Sequence, residues 1–143
     1  MTADEKALRI ARHLQSLETM GAEWGMEIEE AREGYVRLAV TVNENMLNGH
    51  RTAHGGTLFT IADTAFAYAC NSHGQHAVAH AANISFLSPA HPGDRLIAEA
   101  EEIMRSGRSG AYSVVIKTAQ GRPIASFHGL SRSLGTDFFD PET

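Results

Sequence analysis

Thr57-Leu-Phe-Thr-Ile-Ala-Asp-Thr-Ala-Phe-Ala-Tyr-Ala-Cys-Asn-Ser72 is the stretch on which the fold turns. Leu58, Phe59, Ile61, Ala62, Ala65, Phe66, Ala67 and Ala69 leave almost no polar face, and Gly74 follows as a C-terminal cap. A helix that is apolar nearly all round must be enclosed by other elements. The flanks supply them. Val36, Leu38, Val40 and Val42 alternate against Tyr35, Arg37, Ala39 and Thr41, and the Glu33-Gly34 turn joins this strand to the alternation of Met26 and Ile28, predicting a hairpin. After the helix, strand-like runs at 76–88, 95–105, 111–119 and 123–133 are parted by Pro89-Ala-His-Pro-Gly-Asp, Ser106-Gly-Arg-Ser-Gly and Gln120-Gly-Arg, the pattern of an antiparallel meander.

Further out, Ala7, Ile10, Ala11, Leu14 and Leu17 recur at intervals of three and four, predicting an amphipathic N-terminal helix over about 4–20 that ends before Gly21. Residues 43–56 carry no period and are expected to form an irregular loop. The tail from about 135 to 143 is expected to be loose. One buried helix against five or six antiparallel strands is a two-layer α+β domain. With the helix placed after the first hairpin, the sheet should wrap around it in a hotdog fold, one domain over 1–143.

The chain has 143 residues, 43% hydrophobic and 20% charged, enough for one core. Its formal charge of -5, with no concentration of Lys or Arg, argues against nucleic acid as a partner. No apolar stretch approaches the roughly 20 residues that span a bilayer, and the first residues form no signal region, so a soluble, cytoplasmic protein without membrane partners is expected. The single cysteine, Cys70, rules out an internal disulfide and any CxxC motif.

The sharpest chemical feature is Asn48-Gly-His-Arg-Thr-Ala-His54-Gly55-Gly56, running directly into the buried helix, with Asp63 two turns inside it. Asn and Gly before a helix are ordinary cap residues, and a loop His is ordinarily just solvated. Asp63 is harder to set aside, because a carboxylate on a buried helix carries a desolvation cost of several kcal/mol unless it has partners or faces a cavity. Gly55-Gly56 at a helix N-terminus lets a substrate oxygen approach free N–H groups without a Cβ in the way. An oxyanion donor plus a carboxylate is the equipment for hydrolysing an activated acyl group. Gly55 and Asp63 lie eight residues apart, about 12 Å along a helix axis, too far to serve one thioester from one chain. Two antiparallel copies would bring the donor of one beside the carboxylate of the other.

Met46-Leu-Asn-Gly-His, His54-Gly-Gly and Ala62-Asp-Thr-Ala-Phe-Ala-Tyr-Ala-Cys-Asn71, followed by Phe86-Leu-Ser-Pro, Gly93-Asp and Ser131-Arg, resemble the phenylacetic-acid-degradation family of hotdog-fold acyl-CoA thioesterases over roughly residues 20–135. The resemblance implies that Gly55 N–H polarises the thioester carbonyl and that Asp63 acts as nucleophile or general base. Asn48 and His54 would shape the site, and Thr64 would assist beside Asp63. It also implies phenylacetyl-CoA or its hydroxylated forms as substrate, a homodimer as the minimum unit with a tetramer expected, and neither metal nor cofactor. One departure is that Ala77-Val-Ala-His-Ala-Ala82 lacks the Ser or Thr that some hotdog thioesterases present to the acyl group, which leaves water orientation to Thr64 or His80.

Other signals carry less. His73, His76 and His80 straddle Gly74 without an acidic fourth ligand, a poor metal set. Cys70 shares a helical face with Asp63, but a small buried thiol is the commoner explanation. Ser109 sits in a hairpin turn without the spacing of a nucleophile elbow. Phe66 and Tyr68 suit a core or pocket wall, and Arg105, Arg108 and Lys117 suit either solvent or coenzyme A phosphates. Two other function classes stand beside the hydrolase. A dehydratase would pair His50 with Asp63, and a non-catalytic acyl-CoA binder would release no thiol.

Overall fold

The structure, a computed structural model, describes residues 1–139. The N-terminal helix α1 (Ala3–Leu17) opens with a reciprocal cap, Thr2 Oγ1 accepting the Glu5 N–H at 3.1 Å and Glu5 Oε2 accepting the Thr2 N–H at 2.8 Å. It buries Ala7, Ile10 and Ala11. It is shorter than the 4–20 expected, because Glu18 turns to extended backbone and Gly21, at φ +73°, starts a single 3-10 turn at Ala22–Trp24. Apolar spacing marks the face of a helix, but the backbone break is set where Glu18 leaves it.

Strands β1 (Glu27–Arg32) and β2 (Tyr35–Thr41) form the expected hairpin. The loop that follows is less irregular than its composition suggests, holding a 3-10 turn at Glu44–Met46 and a bridge between Leu47 and Ala53. Helix α2 (Gly55–Asn71) then crosses the concave face of a six-stranded sheet completed by β3 (Gln75–Phe86), β4 (Arg95–Ser106), β5 (Ser109–Thr118) and β6 (Pro123–Asp137).

All pairings are antiparallel, in the order β1-β2-β4-β5-β6-β3. This corrects the four-strand meander. Only β4, β5 and β6 are successive neighbours, whereas β3 lies at the far edge against β6. Because α2 traverses the sheet, it delivers the chain to the edge opposite the first hairpin, and β4 must return to pair with β2. Period-two alternation identifies a strand without identifying its partner. The tail is also corrected, since β6 continues through Gly135 to Asp137 and the Phe138 ring stacks on His76 at 3.7 Å. Residues 140–143 of the expected loose tail lie outside the described residues.

The core lies between α2 and the sheet. Registered rows such as Val36–Ala100–Val114–Phe127 and Leu38–Ala98–Ile116–Ala125 present apolar side chains to Leu58, Ile61, Ala62, Ala65 and Phe66. Small residues bring helix and sheet close, and the rings settle in the gaps. Phe66 packs on Tyr112 and Phe127 with centroids 5.6 and 5.7 Å away. Gly129 of β6 is what admits it, because a Cβ there would lie 2.9 Å from the Phe66 ring. Phe66 is 1% exposed and has nowhere to move. Gly129→Ala should therefore destabilise the fold by about 1–3 kcal/mol, an overpacking cost measurable by chemical denaturation.

Candidate active site

The start of α2 is built by the loop before it. Asn48 Oδ1 accepts N–H groups from His50 at 3.0 Å and Thr52 at 3.1 Å, and its Nδ2 donates to Thr52 Oγ1 at 3.0 Å. The turn it organises includes Arg51 at φ 62°. His54 is the N-cap of α2. Its Nδ1 accepts the Gly56 N–H at 2.8 Å, so the ring proton sits on Nε2. The helix therefore begins at Gly55, two residues earlier than apolar periodicity marks it. The cap consumes the Gly56 donor, and the Gly55 N–H has no acceptor among the described residues.

That free N–H lies in a cleft of about 410 Å³ lined by Asn48, Thr52, Gly55, Leu58, Phe86 and Pro89, among others. A Cβ on Gly55 would stand 3.1 Å from the Phe86 ring, so glycine keeps this approach open. Phe86 is over half exposed, an apolar wall at the cleft mouth. The sequence marked it only as part of Phe86-Leu-Ser-Pro.

Asp63 projects from the least covered stripe of α2. Every residue of the helix is buried except Gly55, Gly56, Phe59, Thr60, Asp63 and Ala67, of which Gly56, Thr60, Asp63 and Ala67 follow one another at steps of four, three and four. Its carboxylate has neither hydrogen bond nor ion pair among the described residues, and burial raises its pKa above the ordinary carboxylate range. Thr64, one residue on, is buried and donates its hydroxyl to the Thr60 carbonyl at 2.7 Å. That hydroxyl proton is committed to the backbone.

The remaining candidates separate. His50 is exposed, with its N–H tied to Asn48, and no contact joins it to Asp63. Burial and the charge of Asp63 push the Cys70 thiol up to about 12, so it stays protonated and a poor nucleophile. His73 bridges Glu102 at 3.1 Å and Glu33 at 3.6 Å, locking the end of α2 to the hairpin turn and β4. His76 stacks on Phe138, and His80 is exposed on β3. Among the described residues no three His, Cys, Asp or Glu side chains are grouped to hold a metal ion. Arg105 pairs with Glu102 at 3.6 Å, and with Arg108 it lines a small recess at the β4–β5 turn, where Ser109 begins β5; Lys117 is exposed further along that strand. Sequence reasoning missed the structural part of Asn71. Its side chain accepts the Ala77 N–H at 2.8 Å and donates to the Ala67 carbonyl at 2.8 Å, fastening β3 to the end of α2.

Because the Asp63 carboxyl holds its proton more tightly folded than unfolded, stability falls as pH rises from the ordinary aspartate value, about 4, through its raised value. Asp63→Asn should raise the thermal midpoint at pH 7, and the gain should vanish below about pH 4 in calorimetric scans across pH.

Residues 50–125 match the family model described as the thioesterase superfamily. The chain is 45% identical over 111 residues to the acyl-coenzyme A thioesterase PaaI of Escherichia coli, covering 78% of this chain and 79% of that one. The structure of the E. coli PaaI protein from the phenylacetic acid degradation operon superposes with a TM-score of 0.91 over 95% of this chain and 99% of that one, at 39% identity. A Streptococcus pneumoniae thioesterase solved with coenzyme A matches at a TM-score of 0.77 and 26% identity, over 79% of this chain and 91% of that one. With a helix N-terminus that frees one N–H, a carboxylate on the same helix and a sheet wrapped around both, the chain belongs to the thioesterase superfamily as a PaaI-type, hotdog-fold thioester hydrolase.

Proposed function

We propose that the protein hydrolyses acyl-CoA thioesters with small aromatic acyl groups, phenylacetyl or its hydroxylated forms, at a site shared between two copies of the chain. In this reading the Gly55 N–H of one copy binds the thioester oxygen, and Asp63 of the other attacks the carbonyl carbon or takes a proton from water. The observation that carries it is the pair of unpartnered groups on one helix, the Gly55 donor and the Asp63 carboxylate, set about 12 Å apart by eight residues of helical rise. Neither has a partner among the described residues of its own chain, and one carbonyl cannot touch both.

Two features support the second copy. Among the described residues strand β3 pairs only with β6 and leaves its other edge open over twelve residues, with Val78 and Phe86 about half exposed. The stripe of Gly56, Thr60 and Ala67 around Asp63 is small enough for another helix to approach closely. Pairing β3 with its own copy would extend the sheet and set two α2 helices side by side. A dimer of such dimers is the assembly expected in turn. The aromatic preference rests on likeness to the PaaI protein.

His54 and Asn48 act as positioning residues. His54 caps Gly56 and so leaves Gly55 as the free donor, while Asn48 holds the turn that forms the cleft wall. Thr64 is a weaker candidate for directing water than the resemblance implies, since its proton is already given to Thr60.

Asp63→Asn keeps the size of the side chain and removes its basicity, so thiol release from phenylacetyl-CoA should fall by at least about 10² while the fold persists. Near-normal turnover would remove Asp63 from the reaction. Mixing Asp63→Asn chains with chains blocked by a bulky residue at Gly55 places both lesions in one site of a mixed dimer and leaves the other site whole. With random exchange about a quarter of wild-type activity should return; none returning despite demonstrated exchange would put both groups in one subunit.

A further inference from the structure

Residues 87–94 join β3 to β4 and form one wall of the cleft beside Gly55, where Leu87, Ser88 and Pro89 continue the surface begun by Phe86. Pro89 and Pro92 remove backbone donors from this segment, so it cannot fasten itself as a strand would. Its hold comes from the β5–β6 turn. Arg122 Nη1 donates to the Pro89 carbonyl at 2.6 Å and to the Ser88 hydroxyl at 3.4 Å, while Nη2 donates to Asp94 Oδ2 at 2.9 Å. The same Asp94 oxygen accepts the His91 N–H at 2.8 Å, so one guanidinium grips the segment near both ends. The base of the arginine is itself fixed. Buried Thr118 accepts the Arg122 N–H on Oγ1 at 3.0 Å and gives its own N–H to the Arg122 carbonyl at 3.0 Å. On the other side the Ala90 carbonyl accepts the Ala53 N–H at 2.8 Å, which ties the segment to the turn before α2.

We propose that Arg122 is a positioning residue for substrate binding: its fork on Pro89 and Asp94 fixes the 87–94 wall and so sets the width of the cleft through which a thioester reaches Gly55. The inference rests on the reading of Gly55 and Asp63 given above. A planar guanidinium can serve a carbonyl and a carboxylate in fixed directions at once, which a lysine ammonium on its flexible stem cannot. The Gly55 donor is held separately, by the His54 cap on Gly56, so loss of Arg122 loosens the wall and leaves the donor in place. A wall touches the substrate before and during reaction alike. Losing such uniform contact raises KM and spares kcat. The Arg122–Asp94 pair is partly exposed, and pairs of that kind contribute little to global stability, so binding is where its removal should show.

The test measures kcat and KM by thiol release from phenylacetyl-CoA and from phenylacetyl-pantetheine, which lacks the nucleotide and its phosphates, in wild type, Arg122→Gln, Arg122→Lys and Asp94→Asn, each with its thermal midpoint. Arg122→Gln should raise KM by about tenfold on both substrates while kcat stays within about threefold and the midpoint barely moves. Arg122→Lys should recover only part of the loss, because charge returns without the fork. Asp94→Asn should raise KM on both substrates by a smaller factor, and it decides the matter if Arg122→Gln fails to fold. A loss confined to phenylacetyl-CoA would make Arg122 a direct contact of the coenzyme A phosphates and overturn this inference. An unchanged KM, a fall in kcat alone, or full recovery by Arg122→Lys would overturn it as well. Thiol release from neither substrate by folded wild-type protein would overturn the functional reading itself, and this one with it.

Discussion

Burial of α2 is the constraint on which the rest depends. A helix whose Leu58, Ile61, Ala62, Ala65, Phe66 and Ala69 all need cover cannot lie on a flat sheet, which would reach one face alone. The sheet curves around it, α1 closes another side, and a single stripe stays open. The alanines let the backbone sink towards the strands, and the Phe66 ring on the sheet side requires a glycine opposite it. Packing, strand order and the location of the open stripe follow from the same need to remove one apolar cylinder from water.

The proposed chemistry uses what that burial leaves over. A helix N-terminus always has donors without intrahelical partners, and here the His54 cap takes one while leaving its neighbour free. Asp63 occupies the least covered stripe of α2, where half-burial raises its pKa and no partner among the described residues lowers it. An unpartnered carboxylate costs stability, and a fold keeps such a cost where another molecule meets the group. In the proposed reading both groups are completed from outside the chain, by substrate and by a second copy.

The polar side chains around the site divide their labour by geometry. Asn48 and Asn71 act on backbone, the first shaping the turn before α2 and the second fastening the strand after it. His73 between Glu33 and Glu102 holds the far end of α2 to the hairpin. These contacts hold α2 at both ends, so the spacing between Gly55 and Asp63 is set by the helix itself.

Local pattern determined much of this. The apolar run at 57–72, the period-two strands and the glycines before a buried carboxylate are written in neighbouring residues, and they were sufficient for the hotdog architecture and for Gly55 and Asp63 as candidates. The tertiary structure decided what depends on residues far apart in the chain. It moved β3 to the far edge, because alternation carries no information about which strand lies alongside. It carried β6 through Gly135, where composition alone suggests a loose tail. It made the Cys70 thiol a protonated core group, an outcome that depends on burial by distant elements, whereas the Thr64 hydroxyl turns to a carbonyl four residues back in its own helix. It also joined Glu18 to Tyr68 across fifty residues of sequence, a pairing that exists only because α1 is folded against α2.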